Sequence, residues 1–499
     1  MKYVIGVDLG TSAVKILLVD QLGEVVRSVS KSFALIQEKT GYSEQNPQDW
    51  VEGTTAGLFE LLSGWNGRAE DIEGISFSGQ MHGLVLLDEN NDVLRPAILW
   101  NDTRTTAQCQ QIYEAVGEER LLEITKNPAL EGFTLPKLLW VKEYEPEIYS
   151  RAKAFVLPKD YLRYKMTGQL QMEYSDAAGT LLLDISKKEW STEICSLLGI
   201  DPSLCPPLVY SHEEVGTVKM DYAEITGLSS ATRVFAGGAD NACGAIGSGI
   251  LEDGKTLCSI GTSGVVLSYE ASDDKDFEGK VHYFNHAAPD VFYTMGVTLA
   301  AGYSLTWFKD VFAANESFED LLADIHSVPA GSNGLLFTPY LVGERTPHAD
   351  AAIRASFIGM DASHQRKDFA RAVLEGITFS LNESIDIFRR SGKEIDTIVS
   401  IGGGARNEDW LQMQADIFNA KIVRLNSEQG PGMGAAMLAA FGCEWFATLK
   451  HCADQFLKED RQFQPIPSNV ETYKKLFAIY QDVYGQTKEL NKKLLEFRK

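Results

Sequence analysis

The sequence predicts an α/β protein built from two related lobes. Two turns of the same composition, Gly10-Thr11-Ser12 and Gly261-Thr262-Ser263, each follow a short strand-forming segment and precede a second apolar run. Both segments are therefore predicted to be β-hairpins whose tips present glycine N–H groups and hydroxyls to an anion. Segments with helical periodicity alternate with strand-forming segments in both halves. If both tips face one cleft, they could hold the two ends of a polyphosphate.

Composition and charge bound the number of domains and the kinds of partner. With 499 residues, 44% of them hydrophobic, the chain exceeds what one core usually supports, so two domains are expected. We place their boundary near residue 248. The net charge of −23 argues against nucleic-acid or anionic-membrane partners. No secretion signal or bilayer-length apolar run is evident, so a cytoplasmic location is expected.

Cysteine usage indicates packed, reduced thiols. The seven cysteines are odd in number and include no Cys-x-x-Cys pair. Neither a disulfide framework nor a zinc site is therefore predicted.

The N-terminal half is predicted to begin with a three-stranded antiparallel meander and a helix. A turn at 20–23 separates the first hairpin from a third strand at 24–30. Asn46-Pro47 then offers a helix cap and a first-turn proline. A strand at 72–77 follows and ends in a polar tip at 78–83.

The C-terminal half is predicted to repeat this order, which suggests a duplication. The expected elements are a hairpin around 261–264, further strands within 281–297, a helix from about Gly302, a long amphipathic helix at 366–390, a strand at 397–401 and a terminal helix within 470–499.

Two nucleotide-binding patterns occur in contexts that argue against them. Residues 249–256 match a P-loop literally, but a small-residue helix precedes them and a strand follows, the reverse of what a P-loop needs. Residues 430–435 match a dinucleotide-binding pattern with no room for the βαβ units that should follow. We expect a turn at the first and close helix packing at the second.

Two aspartates are candidates for phosphoryl-transfer chemistry. Asp8 ends the first strand, and the hairpin could bring its carboxylate near the ammonium of Lys15, as metal and phosphate binding require. A turn-forming aspartate and a solvated lysine are the structural alternative. Asp240 precedes a small-residue helix, where it would cap the helix with a depressed pKa. An ionised carboxylate there could also orient an attacking hydroxyl and accept its proton late.

Aligning the two turns indicates that the copies are unequal. The alignment places Asp8 opposite Ser259 and Lys15 opposite Val266. Only the first copy therefore carries charged side chains beside its tip.

Other candidate positions carry weight only in combination. His82 follows Met81 at a strand tip between glycines, where a polar side chain can project into a cleft, although a lone histidine is usually structural. Gly302 is expected to open a helix, and Gly403 and Gly404 another. Bare helix N-termini with glycine allow a phosphate or nucleoside to approach closely.

Together, these segments resemble the FGGY family of carbohydrate kinases, within the superfamily of sugar kinases, Hsp70 and actin. The matching segments run in family order over nearly the whole chain: 6–15, Ser78-Gly79-Gln80-Met81-His82-Gly83, Leu99-Trp100-Asn101-Asp102-Thr103-Arg104, Gly237-Gly238-Ala239-Asp240-Asn241, 259–264, Gly343-Glu344-Arg345-Thr346-Pro347 and Gly402-Gly403-Gly404-Ala405-Arg406-Asn407. The Met81-His82 pair is the most specific, because it resembles the members that act on D-xylulose and differs from other members.

The resemblance implies two actin-like (ribonuclease H-like) domains, each a mixed five-stranded sheet flanked by helices, around a central cleft. Domain 1–248 would bind the sugar and carry catalysis, and domain 249–499 would bind the nucleotide. The implied reaction is ATP-dependent phosphorylation of D-xylulose at its terminal hydroxyl, with Mg²⁺. The implied roles are Asp240 as base and sugar ligand, Met81 and His82 as sugar contacts, Asp8 at Mg²⁺, Thr11, Lys15, Gly261 and Thr262 at phosphates, and Gly302, Gly403, Gly404 and Asn407 around the nucleotide.

Two other functions stay open at this level. One is a family kinase for another ketose or polyol, such as ribulose, gluconate or glycerol, because a few pocket contacts decide which sugar is bound. The other is an actin-like or chaperone ATPase acting on a protein. The expected partners are a small sugar and ATP, without nucleic acid or membrane, and the sequence is compatible with a homodimer.

Overall fold

Two mixed β-sheets of seven strands each organise the molecule. The computed structural model describes residues 1–427 and 429–498. The strands of the first sheet lie within residues 3–239 and those of the second within 254–463. The boundary expected near residue 248 falls between them.

The first sheet is built around the predicted N-terminal meander. Its strands, in spatial order, are Val25–Ser32, Ala13–Asp20, Tyr3–Leu9, Ile72–Gly79, Arg233–Phe235 and Glu214–Thr217, with Gly238–Ala239 also paired to Ile72–Gly79. The first three strands are antiparallel, whereas Tyr3–Leu9 and Ile72–Gly79 run parallel. The hairpin tip and the carboxyl ends of the parallel strands therefore meet at one edge of the sheet.

The second sheet repeats the arrangement. Its strands, in spatial order, are His282–Asn285, Phe292–Thr298, Gly264–Glu270, Gly254–Ile260, Ile395–Gly402, Lys421–Leu425 and Glu459–Phe463. Five strands in each sheet share one order, as the resemblance implies. Each sheet exceeds the expected five strands by two: Glu214–Thr217 and Gly238–Ala239 in the first, and His282–Asn285 and Glu459–Phe463 in the second.

Helices flank both sheets. In the N-terminal half they are Pro47–Leu62, Thr106–Val116, Glu118–Thr125, Thr134–Tyr144, Pro146–Arg151, Pro158–Thr167, Tyr174–Ala178, Thr192–Leu197, Met220–Thr226 and Asp240–Ile246. In the C-terminal half they are Gly302–Phe312, Phe318–Leu322, Arg366–Arg390, Glu408–Phe418, Gly430–Gly442, Leu449–Phe456 and Pro467–Leu494. The cap expected at Asn46 is present, since its side chain accepts the N–H of Gln48 at 3.2 Å. None of the helices in residues 1–427 and 429–498 is long and apolar enough to cross a bilayer.

Five two-stranded sheets complete the described strands. They pair Glu44–Gln45 with Ala97–Ile98, Val85–Leu87 with Ala154–Val156, Met172–Glu173 with Leu208–Val209, Leu183–Asp184 with Glu189–Trp190, and Leu336–Thr338 with Ser356–Ile358.

The glycines of helix Gly430–Gly442 permit close packing between the two halves of the chain. This helix packs against the first sheet and against helix Asp240–Ile246. A Cβ on Gly434 would lie 1.9 Å from the carbonyl oxygen of Cys243. The dinucleotide-like pattern therefore serves helix packing, as expected. The P-loop-like pattern runs into strand Gly254–Ile260 rather than into a helix.

Candidate active site

Three strand ends of the first sheet bring the candidate residues of the N-terminal half to one place. Leu9 is paired with Gly79, and Gly79 with Ala239. Asp8 directly precedes Leu9, and Asp240 directly follows Ala239. The edge of the sheet thus assembles segments that are far apart in the sequence.

Asp8 and Lys15 are direct partners across the first hairpin. Both side chains are partly exposed. Burial raises the pKa of Asp8, and the nearby ammonium of Lys15 opposes this increase. A carboxylate and an ammonium beside each other at a hairpin tip can serve a metal ion and a phosphate oxygen.

Asp240 lies in the first turn of helix Asp240–Ile246 but does not cap it. The cap position belongs to Ala239, and Oδ1 of Asp240 accepts the N–H of Asn241 at 2.7 Å. Burial, followed by the charge of Asp8, raises the pKa of Asp240 to about 7. The expected depression of this pKa is wrong, because desolvation and a second carboxylate outweigh the helix N-terminus. A carboxyl with this pKa suits a base that acts near neutral pH.

Met81 and His82 form the tip that follows the strand Ile72–Gly79. The imidazole Nδ1 of His82 lies 2.6 Å from the carbonyl oxygen of Gly179, and burial lowers the pKa of His82 to about 3. The ring is therefore neutral, and a carbonyl partner requires the hydrogen on Nδ1. Nε2 is left as an acceptor for a hydroxyl. Met81 is linked to the base region through its sulfur, 3.6 Å from Nδ2 of Asn241.

Lys137 holds the Met81-His82 tip in place, a role that the sequence did not indicate. His82 has a left-handed backbone with φ of 68°. The Nζ of Lys137, which has no exposed surface, donates to the carbonyl oxygen of His82 at 3.0 Å. Burial lowers the pKa of Lys137 to about 7. Lysine side chains usually lie in solvent, so nothing in the sequence indicated that Lys137 is buried.

The hydroxyl of Thr11 is already engaged within the protein. It donates to Oε1 of Gln80 at 3.1 Å and accepts the indole N–H of Trp100 at 2.9 Å. A phosphate contact by Thr11 would therefore fall to its backbone N–H. The exposed indole of Trp100 beside this tip is a second feature that sequence reasoning did not assign.

A cavity of about 830 Å³ opens in the second lobe. Its volume lies within the range of small-molecule sites, and Tyr303, Phe318 and Trp410 supply aromatic surface. The residues predicted around the nucleotide or its phosphates in this lobe all line it: Gly261, Thr262, Gly302, Gly403, Gly404 and Asn407.

The two predicted helix starts in this cavity differ in structure. Gly302 donates its N–H to the carbonyl oxygen of Gly261 at 2.8 Å, so the helix is joined directly to the hairpin tip. Gly403–Ala405 forms a separate 3-10 turn, and the following helix Glu408–Phe418 begins only after its cap, Asn407. The expectation of a free helix N–H at Gly302 is therefore wrong, whereas Gly403 and Gly404 open a 3-10 turn rather than the α-helix that follows.

Two other family segments have structural contacts. Asp102 accepts the N–H of Ser43 at 2.6 Å and pairs with Arg104 at 2.7 Å. Glu344 accepts the backbone N–H groups of Leu299 at 3.0 Å and Arg345 at 2.8 Å. Both carboxylates therefore hold loops in place.

Known proteins resemble this chain over its full length. Models of the N-terminal and C-terminal domains of the FGGY family of carbohydrate kinases match residues 3–247 and 256–443. The chain is 63% identical to a xylulose kinase of Bacillus subtilis (strain 168), with 100% of both chains covered.

Solved structures also match this chain over nearly its whole length. A ligand-bound xylulose kinase from Lactobacillus acidophilus superposes with a TM-score of 0.93, at 30% identity and 98% coverage of both chains. A gluconate kinase from the same organism superposes with a TM-score of 0.92, at 30% identity, covering 97% of this chain and 98% of its own. The two halves of the chain thus match both family domains in order, and the chain belongs to the FGGY family of carbohydrate kinases.

Proposed function

We propose that this protein transfers the γ-phosphoryl group of ATP to the terminal hydroxyl of D-xylulose, giving D-xylulose 5-phosphate and ADP. The observation that carries the proposal is the position of Asp240, a carboxyl with a pKa near 7 beside Asp8 and the Met81-His82 tip. The 63% identity to a xylulose kinase over the full chain supports the choice of sugar.

Each residue of the first lobe has a distinct role in this reaction. Nε2 of His82 accepts a hydrogen bond from a sugar hydroxyl, while Met81 packs against the carbon chain. The ionised carboxylate of Asp240 orients the attacking hydroxyl and accepts its proton as the bond to phosphorus forms. Lys15 contacts the phosphoryl oxygens, where its charge stabilises the transition state.

ATP and Mg²⁺ fit the remaining features. The second-lobe cavity, with its aromatic wall and the tip at Gly261 and Thr262, would hold the nucleotide. Within residues 1–427 and 429–498 no group of three or more metal-binding side chains occurs. Mg²⁺ in kinases is commonly bound by one or two carboxylates together with phosphates and water, which Asp8 satisfies. Bound there, the ion would neutralise charge on the phosphates.

Gluconate is a second candidate substrate. The observation in its favour is the gluconate kinase structure, which matches at the same 30% identity as the xylulose kinase structure. Few contacts separate one sugar from another in such pockets.

A coupled assay of ADP release with D-xylulose, D-ribulose, gluconate and glycerol tests the proposal. We expect the highest kcat/KM with D-xylulose and little ADP release without sugar. A higher kcat/KM with gluconate or another compound would replace D-xylulose as the substrate. ATP-dependent light scattering without sugar phosphorylation would instead favour a polymerising ATPase.

A further inference from the structure

The residue before Asp240 is anchored by a buried serine. The N–H of Ala239 donates to Oγ of Ser175 at 2.9 Å, and this hydroxyl donates to Oε2 of Glu173 at 2.7 Å. Neither Ser175 nor Glu173 has exposed surface. A hydroxyl carries one hydrogen, so its donation to Glu173 leaves its lone pairs for Ala239. The carboxylate of Glu173 thereby orients the Ser175 hydroxyl, which in turn holds the backbone N–H of Ala239, next to Asp240.

Glu173 belongs to a set of charged side chains without exposed surface, which we call the buried ion cluster. Its members are Lys159, Asp160, Arg163, Glu173 and Asp176. Nζ of Lys159 lies 2.8 Å from Asp160, 3.2 Å from Glu173 and 2.8 Å from Asp176. Burial opposes the charge of Lys159, yet the three carboxylates together raise its pKa.

Stability alone does not account for this cluster. Removing several charges from water is costly, and apolar packing of the same volume is often equally stable or more so. What the ionic cluster provides, and apolar packing cannot, is a set of oriented donors and acceptors for the neighbouring backbone.

The cluster also holds the glycine-rich segment further upstream. Nη1 of Arg163 donates to the carbonyl oxygen of Ala236 at 2.7 Å and lies 3.1 Å from Asp160. The next residue, Gly237, has a φ of 84°, and a Cβ there would lie 2.3 Å from the carbonyl oxygen of Phe77. The chain leading to Asp240 is thus held from both sides.

The same short segment reaches the sugar-binding tip. The carboxylate of Glu173 caps the helix Tyr174–Ala178, and Gly179 follows that helix. The carbonyl oxygen of Gly179 is the partner of Nδ1 of His82, and a Cβ on Gly179 would lie 2.9 Å from that nitrogen. Residues 173–179 therefore bind Ala239, the neighbour of the base, at one end and the sugar tip at the other.

We propose that Ser175, oriented by Glu173 and the buried ion cluster, is a positioning residue that sets the distance between Asp240 and the sugar hydroxyl. The inference rests on the proposed function, in which Asp240 is the base. A displacement of about 1 Å at a reacting group can cost about 100-fold in rate. The second-lobe cavity lies in the other lobe, and Ser175 is not among the described residues that line it.

Ser175→Ala tests the proposal, with Thr232→Ala as the matched control. The Thr232 hydroxyl is also buried and donates to the carbonyl oxygen of Ile72 at 3.1 Å, at the opposite end of the strand that carries the site. For Ser175→Ala we expect kcat to fall by roughly 10- to 100-fold with KM for ATP unchanged. For Thr232→Ala we expect a lower Tm and an unchanged kcat per folded enzyme.

Glu173→Gln keeps the shape of the side chain but removes its charge and replaces one of its two acceptor oxygens with an NH2 donor. We expect the same loss of kcat at an unchanged KM for ATP, and recovery of most of the rate in Ser175→Thr, which retains a hydroxyl. Near-UV circular dichroism sets the folded fraction for each variant, and Glu173→Gln decides the question if Ser175→Ala does not fold.

Wild-type kcat in either Ser175→Ala or Glu173→Gln, at equal folded fraction, overturns the proposal. Asp240→Asn is measured in parallel to separate the two hypotheses. If Asp240→Asn keeps its turnover, the proposed role of the base fails. If Asp240→Asn is inactive and the Ser175 and Glu173 variants are normal, only the positioning role fails.

Discussion

The two Gly-Thr-Ser hairpins join antiparallel strands in the same way but differ in the charge of one cross-strand pair beside the tip. Asp8 pairs with Lys15 in the first hairpin, whereas Ser259 pairs with Val265 in the second. All four side chains are partly exposed. The first hairpin therefore offers a carboxylate and an ammonium, and the second offers only neutral groups. The repeated strand order provides the same position in both lobes, and under the proposed function the side chains at this pair give the two lobes different roles.

The structure changes which residue corresponds to Lys15. Alignment of the turns indicates Val266, but the second turn is one residue shorter, since Leu9 pairs with Val14 and Ile260 with Gly264. Val266 has no exposed surface, while Val265 shares the partly exposed face with Ser259. A shift of one residue moves a side chain to the other face of a sheet.

The largest expected effect is in the first lobe. Asp240→Asn should lower kcat by about 100-fold or more, the scale of general-base assistance, and leave ATP affinity unchanged. Steady-state kinetics and calorimetric titration with ATP measure the two quantities. Turnover near that of the wild type would exclude Asp240 as the base.

The same variant should not lose stability. The pKa of Asp240 rises from 3.8 to about 7 on folding, so the folded state holds its proton more tightly and this group becomes destabilising as pH rises from about 4 to 7. Above pH 7, Asp240→Asn removes this unfavourable ionisation, and thermal unfolding at pH 7.5 should give an equal or higher Tm.

Lys15→Met converts the charged pair of the first hairpin into the neutral type of the second. We expect kcat/KM for ATP to fall by roughly 10- to 100-fold, because a hydrogen bond to a charged group contributes about 1.5–3 kcal/mol. Val265→Met is the matched control, and its kcat/KM for ATP should stay within about twofold of the wild-type value. Equal losses in both variants would contradict the division of roles.

Gly302→Ala tests the junction in the second lobe. Its Cβ would lie 2.4 Å from the carbonyl oxygen of Gly261, so the helix must move away from the tip. We expect KM for ATP to rise by roughly tenfold, within overpacking costs of about 1–3 kcal/mol, while KM for the sugar stays constant. Gly485→Ala, also in a helix but with nothing within 4 Å of the new Cβ, is the control.

His82→Ala should affect only the sugar. We expect KM for the sugar to rise by up to about tenfold and KM for ATP to stay constant, because one neutral hydrogen bond is lost. The exposed His326 provides a control, His326→Ala, with no expected change. A similar increase in both KM values would assign His82 a structural role.

The pH profile of the wild-type enzyme gives the most specific prediction. Because the pKa of Asp240 is about 7, kcat/KM for the sugar should fall about tenfold per pH unit well below pH 7. His82, with its pKa near 3, stays neutral over this range and therefore adds no further pH dependence to kcat/KM. A profile flat down to pH 5 would contradict the raised pKa of Asp240.

Local elements of the fold were predictable, and the environment of the site was not. The long helix Arg366–Arg390 and the cap at Asn46 depend on neighbouring residues, so periodicity and cap chemistry identified them. Lys137 and Lys159 were missed because charged residues usually lie in solvent. Their burial depends on segments that lie far away in the sequence.

The sequence by itself determined the two hairpins, their order with the helices, and the family segments, because turn chemistry and hydrophobic periodicity act over short distances. Only the tertiary structure decided that Asp8 and Asp240 lie close together at one edge of the first sheet, that Val265 takes the place of Lys15, and that Gly302 bonds to the second tip. Desolvation, strand register and close approach depend on which distant segments meet.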